Sequence, residues 1–193
     1  MKKVLFGLFA LSTLAFGAAG DNNLYLRAEF TPFSEYDTES GTGVKTKDRI
    51  SGAAYGIAVE VTREVMYGLE IGFGTGYQWN GDFDYEADYS GHDYPDFNSI
   101  PVYVTAKYSM MPIGELVPYI KGDLGYSFND LDDNQYFSYE DGLYYGISVG
   151  AEIQNLSLEI AYRVNEGEIN TSHGKYDIDN SRVMFGAGYK FNF

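Results

Sequence analysis

Residues 183–193 read V-M-F-G-A-G-Y-K-F-N-F, and two kinds of side chain alternate along this segment. Val183, Phe185 and every second residue up to Phe193 are apolar or aromatic, whereas the residues between them are small, polar or methionine. A period of two residues is typical of a β-strand, because successive side chains point to opposite faces. The segment therefore predicts a strand with one apolar face that ends on an aromatic residue.

The same alternation recurs upstream in seven segments of about ten residues, the length that a tilted strand needs to cross a bilayer. These predicted strands are 23–32, 52–62, 68–78, 99–108, 118–128, 143–154 and 156–165. Short connections (63–67, 109–117, 154–155) alternate with long ones (33–51, 79–98, 129–142, 166–180). Short turns at one end and long loops at the other are typical of membrane barrels. We therefore predict an all-β fold, an eight-stranded antiparallel up-and-down transmembrane β-barrel.

The face opposite the apolar one carries balanced charge. Its basic residues are Arg27, Lys107, Lys121, Arg163, Arg182 and Lys190, and its acidic residues are Glu29, Glu60, Glu70, Asp123, Glu152 and Glu159. The same face carries many glycines: Gly56, Gly72, Gly74, Gly76, Gly125, Gly146, Gly150, Gly186 and Gly188. Unpaired buried charge is costly, so the balance predicts a lumen closed by a neutral charge network, with apolar residues facing lipid. The alternative is a narrow porin-like channel, which such a lumen disfavours.

Aromatic residues are expected to form two interfacial girdles, because they concentrate at strand ends. The outer girdle would contain Phe30, Tyr55, Tyr77, Tyr126, Phe128, Tyr145 and Tyr162, and the periplasmic one Tyr67, Tyr108, Phe191 and Phe193.

The N-terminus has the pattern of a secretory signal peptide: Lys2 and Lys3, the apolar run 4–16, and small residues at 17–20. We expect residues 1–20 to be cleaved and residues 21–193 to form the barrel domain. The 193-residue chain has no cysteine, which excludes disulfides and thiolate chemistry. Its net charge of −15 makes it a poor nucleic-acid binder.

Two segments carry a family resemblance: Tyr-Lys-Phe-Asn-Phe at 189–193 and Pro-Tyr-Ile-Lys-Gly-Asp-Leu-Gly-Tyr-Ser-Phe at 118–128. The chain resembles the small outer-membrane β-barrels, the opacity-type surface proteins and the OmpA/OmpX transmembrane barrel. The resemblance implies a monomer in the cell outer membrane, in contact with membrane lipid and lipopolysaccharide. It also implies insertion by the barrel-assembly machinery through the strand ending at Phe193, and a host or cell-surface partner at the outer loops.

Catalytic and cofactor sites are not expected. A lipid-modifying barrel enzyme would need a Ser-His pair with an acid, but His92 and His173 are the only histidines and both lie in predicted loops. We predict no catalytic, cofactor-binding or metal-binding residues, and no enzyme activity. A lipid-modifying outer-membrane enzyme is the less favoured alternative.

The predicted outer loops are acidic and rich in tyrosine. Residues 82–89 read D-F-D-Y-E-A-D-Y, which indicates either a projecting hairpin used for adhesion or a solvated extension. Asp130, Asp132, Asp133 and Asn134 resemble the start of a calcium loop, but Gln135 replaces the required glycine, which favours a solvated turn. Lys45, Lys47 and Arg49 could meet lipopolysaccharide phosphates. The sequence thus predicts a structural or surface-interaction role, in adhesion or envelope integrity.

Overall fold

The computed structural model describes residues 22–40, 45–50, 53–80, 97–131, 138–171 and 174–193. These ranges contain ten strands: β1 (Asn22–Ser40), β2 (Lys45–Ile50), β3 (Ala54–Met66), β4 (Leu69–Asn80), β5 (Phe97–Ser109), β6 (Leu116–Leu131), β7 (Ser138–Glu140), β8 (Gly142–Ile153), β9 (Leu156–Thr171) and β10 (Gly174–Asn192). In the same ranges, no helix is long and apolar enough to span a membrane.

Eight of the strands close into an antiparallel barrel, as predicted. The hydrogen-bonded order is β10-β1-β3-β4-β5-β6-β8-β9, and β9 pairs with β10 to complete the ring. At the closing seam, Leu24 lies opposite Phe191 and Ala28 lies opposite Ala187. Asn22 and Phe193 exchange backbone hydrogen bonds of 3.2 and 3.0 Å, so both ends of the described chain lie at the end with short turns. In membrane barrels the short turns face the periplasm, so we refer to this end as the periplasmic end.

The register fixes the stagger of the barrel. Starting from Leu69 on β4, the cross-strand partners lead once around the barrel and return to β4 at Trp79, ten residues further on. The intermediate partners are Tyr108, Ile120, Val149, Ile160, Phe185, Phe30 and Tyr55. Strands staggered in this way must tilt, typically by about 35–45° from the barrel axis. An eight-stranded barrel has an interior only wide enough for side chains.

The polarity of the barrel is inverted relative to a soluble protein, which confirms the prediction. Large apolar side chains of every barrel strand are exposed on the outside, whereas charged residues are buried inside. Exposed members of the predicted girdles include Phe30, Tyr55, Tyr126, Tyr145 and Tyr162 at the outer end and Tyr67, Tyr108, Phe191 and Phe193 at the periplasmic end. Val164 was expected to face lipid as well, but it is only 6% exposed.

The predicted strand bounds are too short at the outer end. Segments 33–51 and 166–180 were predicted as loops, yet β1 continues to Ser40, β9 to Thr171, and β10 begins at Gly174. β2 and β7 also lie in segments that were predicted as loops. Apolar alternation reports only the lipid-facing part of a strand, whereas backbone pairing can continue in water without it.

These additional residues form one continuous sheet beyond the apolar exterior, which we call the outer extension. It comprises β2, β7, residues 33–40 of β1, 166–171 of β9 and 174–180 of β10. Its strand order is β2-β1-β10-β9-β7. The outer end is therefore built up on the side of the barrel where β9, β10 and β1 lie.

The periplasmic turn between β8 and β9 is the predicted two-residue junction of Gln154 and Asn155. Gln154 has φ of 56°, and it is the one non-glycine residue with positive φ in the described ranges. Non-glycine residues are strained in this left-handed conformation, and among them asparagine adopts it most readily. The folded β8–β9 hairpin therefore contains backbone strain at Gln154.

We expect Gln154→Asn to stabilise the barrel by about 0.5 to 1 kcal/mol, because asparagine tolerates positive φ. Urea-induced unfolding in lipid vesicles would measure the change. Gln154→Ala keeps the Cβ strain and serves as the matched control with no gain in stability. Equal stability of the Asn and Ala variants would contradict this account of the turn.

Candidate functional site

The lumen is filled by charged side chains from all eight barrel strands. All twelve predicted lumen charges turn inward: eleven are buried, and the side chain of Lys190, nearest the periplasmic end, is 17% exposed. Six of the twelve are basic and six are acidic, so their formal charges cancel. The predicted neutral charge network is therefore present, and most of its members lie out of contact with water.

The periplasmic cluster is the first layer of this network. Its members are Tyr25, Thr62, Glu70, Lys107, Glu152 and Lys190. Lys107 Nζ lies 2.9 Å from Glu70 Oε1 and 2.5 Å from Glu152 Oε1, so one ammonium group holds two carboxylates. The Tyr25 hydroxyl accepts a hydrogen bond from Lys107 and lies 3.0 Å from Glu70 Oε2 and 3.1 Å from Glu152 Oε1. With Lys190 at 3.3 Å from Glu70, this layer has two positive and two negative charges.

The central cluster lies above it and is organised around Glu159. Its members are Arg27, Glu29, Glu60, Lys121, Asp123, Glu159 and Arg163. Glu159 pairs with Arg27, and its Oε1 lies 3.4 Å from both Lys121 Nζ and Arg163 Nη2. The Tyr119 hydroxyl donates a hydrogen bond of 2.9 Å to Glu159 Oε2. One carboxylate thus holds cations from three different strands.

The remaining carboxylates of the central cluster are matched as well. Glu60 lies 3.1 Å from Arg27 and 2.8 Å from Lys121, and it accepts a hydrogen bond of 2.9 Å from the Tyr103 hydroxyl. Arg163 Nη1 lies 3.0 Å from Glu29 Oε1. Since each charge has an opposite partner, the desolvation penalty of this layer is offset by short-range attraction.

The outer polar cluster closes the lumen at the far end with largely uncharged groups. Gln78 Oε1 accepts hydrogen bonds from Arg182, from Ser99 at 3.0 Å and from Asn165 at 3.3 Å. Asn165 also donates to Ser99 Oγ at 3.5 Å. Ser99 and Asn165 are fully buried. The three clusters together pack the lumen with side chains from the periplasmic end to the outer end. This packing is unfavourable for a water-filled channel.

Four tyrosines of the lumen were missed by the sequence reasoning: Tyr25, Tyr103, Tyr119 and Tyr144. Each follows the alternation of its strand onto the charged face, and the opposite positions are often glycine. Tyr103 lies between Gly74 and Gly125, and Tyr119 lies opposite Gly150. A Cβ atom on Gly74 would lie 2.5 Å from the Tyr103 ring, so the glycine provides space for that ring. A glycine opposite an inward tyrosine is the pattern that could have identified Tyr103, Tyr119 and Tyr144, whereas Tyr25 lies opposite Glu60 and Lys190.

The candidate residues in predicted loops have mixed outcomes. His92, His173, residues 82–89, Asp132, Asp133 and Asn134 lie outside the described residues. Within the described ranges, no group of three or more His, Asp or Glu side chains is arranged to hold a metal ion. Lys45, Lys47 and Arg49 lie on β2, where the register aligns them with Glu39, Asp37 and Glu35 of β1.

The register of the outer extension aligns acidic residues in rows. One row runs through Asp37, Asp179 and Glu166 on three neighbouring strands. A second runs through Glu39, Asp177, Glu168 and Glu140 on four strands. Partners in register lie on the same face of a sheet, and like charges placed opposite each other do not favour strand pairing. On β2 each row ends at a lysine, because Lys47 is the partner of Asp37 and Lys45 the partner of Glu39.

An antiparallel barrel with an apolar exterior and a charged, side-chain-filled interior defines a transmembrane β-barrel of the bacterial outer-membrane type. The comparisons make this specific: the chain belongs to the outer membrane protein beta-barrel domain family, whose sequence pattern matches residues 4–191.

Individual proteins are similar to the chain over most of its length. An uncharacterised protein of Pasteurella multocida is 26% identical over 235 aligned positions, which cover 99% of this chain and 98% of the relative. The crystal structure of Neisserial surface protein A superposes with a TM-score of 0.51 at 16% identity, covering 87% of this chain and 97% of that one. Ail of Yersinia pestis, in a phospholipid nanodisc, gives a TM-score of 0.47 at 17% identity, covering 90% and 100%.

We expect Glu159→Gln to destabilise the barrel by about 3–5 kcal/mol, because Arg27, Lys121 and Arg163 lose the carboxylate that they share and the lumen as a whole is left with one unmatched positive charge. Urea-induced unfolding in vesicles would measure the loss. Glu115 is exposed on a turn, so Glu115→Gln is the matched control and should change stability by less than about 0.5 kcal/mol. Similar effects of the two substitutions would contradict the central role of Glu159.

We expect Gly74→Ala to destabilise the barrel by about 1–3 kcal/mol, because the added methyl group meets the Tyr103 ring. Gly122 faces outward, and a Cβ atom there would have its nearest neighbour, Gly146 O, at 3.9 Å. Gly122→Ala is therefore the matched control and should be neutral or slightly stabilising. The same unfolding assay would compare them, and an equal loss in both variants would argue against a space-filling role of Gly74.

Proposed function

We propose that this outer-membrane barrel is a surface-interaction protein that engages a host or other cell surface through its outer extension. The observation that carries the proposal is the continuation of three barrel strands beyond the apolar exterior, where two further strands, β2 and β7, pair with them. Extending strands into water gains no lipid contact, so membrane insertion alone does not require them. Binding residues commonly lie on segments that a rigid scaffold presents, and here the barrel is the scaffold.

The lumen supports a role outside the barrel rather than through it. The periplasmic, central and outer polar clusters fill the interior with ion-paired and hydrogen-bonded side chains. Such packing leaves no wide water path, in contrast to larger barrels with an open channel. An interaction role is therefore favoured over a narrow channel. We expect the interaction to take place at the outer end of the barrel.

The acidic rows support the same proposal. Apart from the lysines of β2, the rows place like charges opposite each other on the remaining strands, which weakens pairing and favours a role at the surface over a role in folding. A rigid sheet also presents its residues with a fixed spacing, which lowers the entropic cost of binding compared with a mobile loop. We expect recognition to depend on the sheet and not on its turns.

The experiment shortens the outer extension while preserving the barrel register. Gly167 and Ile178 are cross-strand partners, so replacing residues 168–177 with Asn-Gly rejoins β9 and β10 through a two-residue turn. Tyr36 and Asp48 are also partners, so residues 37–47 can be replaced in the same way. We expect both shortened proteins to insert normally, and attachment of the expressing cells to a host-cell layer to fall at least tenfold.

The matched control exchanges only residues 172–173 for Asn-Gly between the partners Thr171 and Gly174, which keeps the strands and alters the turn. We expect this variant to retain attachment. Sensitivity of the cells to detergent, measured in parallel, separates an interaction role from a role in envelope integrity. Unchanged attachment in both shortened variants, combined with greater detergent sensitivity, would reject the proposal in favour of the envelope role.

A further inference from the structure

Two of the three periplasmic turns expose several large apolar side chains, with one exposed carboxylate beside each group, Glu64 and Glu115. The β3–β4 turn presents Val65, Met66 and Tyr67, and the β5–β6 turn presents Met110, Met111 and Ile113. Tyr67 is 86% exposed, Met111 82% and Ile113 72%, which is more than most lipid-facing side chains of the strands. We call these six residues the periplasmic turn patch. Contiguous apolar surface of this kind usually marks a contact with lipid or with another molecule.

The two turns lie side by side. Leu69 and Tyr108 are cross-strand partners at the base of the turns, and the Ser109 N–H donates a hydrogen bond of 2.7 Å to Gly68 O. The patch is therefore continuous from one turn to the next.

The patch occupies only one side of the periplasmic end. The third turn, between β8 and β9, is formed by the polar residues Gln154 and Asn155. The closing seam near it is not a turn and ends in Asn22 and the exposed Phe193. A general preference for apolar turns would have affected all three, so among the turns the apolar character belongs to the side formed by β3 to β6.

The patch continues the lipid-facing surface of the barrel without a break. Ile71, Tyr108 and Ile120 are exposed to lipid on the strands directly above it, and Tyr67 lies two residues beyond the end of this surface on β4. Tyrosine is favoured at the interface between hydrocarbon and headgroups. Continuity with the lipid contact thus indicates lipid as the neighbour of the patch.

Several backbone N–H groups of the two turns are hydrogen-bonded within the protein. Glu64 Oε1 accepts a hydrogen bond of 3.0 Å from the Gly68 N–H. In the other turn, Met110 N–H donates to Pro118 O at 2.8 Å, and Ile113 and Leu116 exchange hydrogen bonds of 2.8 and 3.3 Å. Polar backbone groups in lipid must be satisfied within the protein, and these groups are.

We propose that the periplasmic turn patch is embedded in the phospholipid of the periplasmic leaflet and forms a one-sided anchor. Its side chains enter the headgroup and upper acyl region, while the polar Gln154 turn on the other side remains in water. The apolar surface of the barrel is then taller on the side of β3 to β6. The membrane accommodates such a difference by tilting the barrel or by thickening locally.

Fluorescence quenching tests the proposal directly. Trp79 is the single tryptophan, so Trp79→Phe gives a silent background for Tyr67→Trp, Met111→Trp and, as the matched control on the polar turn, Gln154→Trp. The folded proteins are inserted into phosphatidylcholine vesicles with acyl chains brominated near the headgroup. We expect at least half of the fluorescence of the Tyr67→Trp and Met111→Trp proteins to be lost, and much less of the control.

Quenching of both patch variants no greater than in the Gln154→Trp control would overturn the proposal. Such a result would mean that the patch remains in water when the barrel is inserted in lipid alone. The patch would then be available to a protein partner or to a second copy of the chain.

A second readout needs only a small substitution. The chain has no cysteine, so Met111→Cys and Gln154→Cys each introduce a unique thiol. In vesicles, we expect a membrane-impermeant maleimide to react at least tenfold more slowly with the Met111→Cys protein than with the Gln154→Cys protein. We expect this difference to disappear after unfolding in urea. Equal rates in vesicles would contradict immersion in lipid.

Discussion

The constraint on which this structure depends is charge neutrality in a narrow space without water. The exterior must be apolar to contact lipid, so the charged side chains within the spanning part of the strands are directed into a lumen of limited width. An unpaired charge there costs several kcal/mol, and the structure avoids this cost with carboxylates shared between cations. The clearest cases are Glu159, a carboxylate that contacts three cations, and Lys107, a cation that contacts two carboxylates. The same constraint explains why the excess negative charge of the chain lies outside the lumen.

Volume is the second limit, and the register shows how it is met. Large inward residues lie opposite glycines on neighbouring strands: Glu29 opposite Gly56, Arg27 opposite Gly188, and Arg163 opposite Gly146. The hypothetical Cβ atom of Gly146 would lie 2.8 Å from Arg163 Cγ, so the space is already used. Glycine usually weakens a strand, but here it permits a long charged side chain to cross the lumen.

The sequence predicted the membrane-spanning part of the fold well, because lipid and lumen impose opposite chemistry on alternate residues. Strands β3 to β6 therefore match their predicted spans closely, and the twelve lumen charges were identified before the register was known. The outer extension was not predicted, because in water both faces of a strand can be polar and the alternation disappears. Tyr25 and Tyr103 were missed since tyrosine suits lipid interface and lumen alike. The prediction for Val164 was wrong in the opposite sense. This apolar residue was assigned to the lipid-facing surface, but it is buried within the protein.

The contacts across the lumen join distant parts of the chain. Arg27 and Glu159 are separated by 132 residues, Glu29 and Arg163 by 134, and Tyr25 and Glu152 by 127. None of these partners can meet until the first strand reaches the last ones, so a half-assembled sheet would expose its charges to hydrocarbon without compensation. The free energy of an assembly intermediate in the bilayer therefore rises with the number of charges that it leaves unpaired. The lumen network thus makes assembly cooperative, and a barrel that has closed has no low-energy route to open strand by strand.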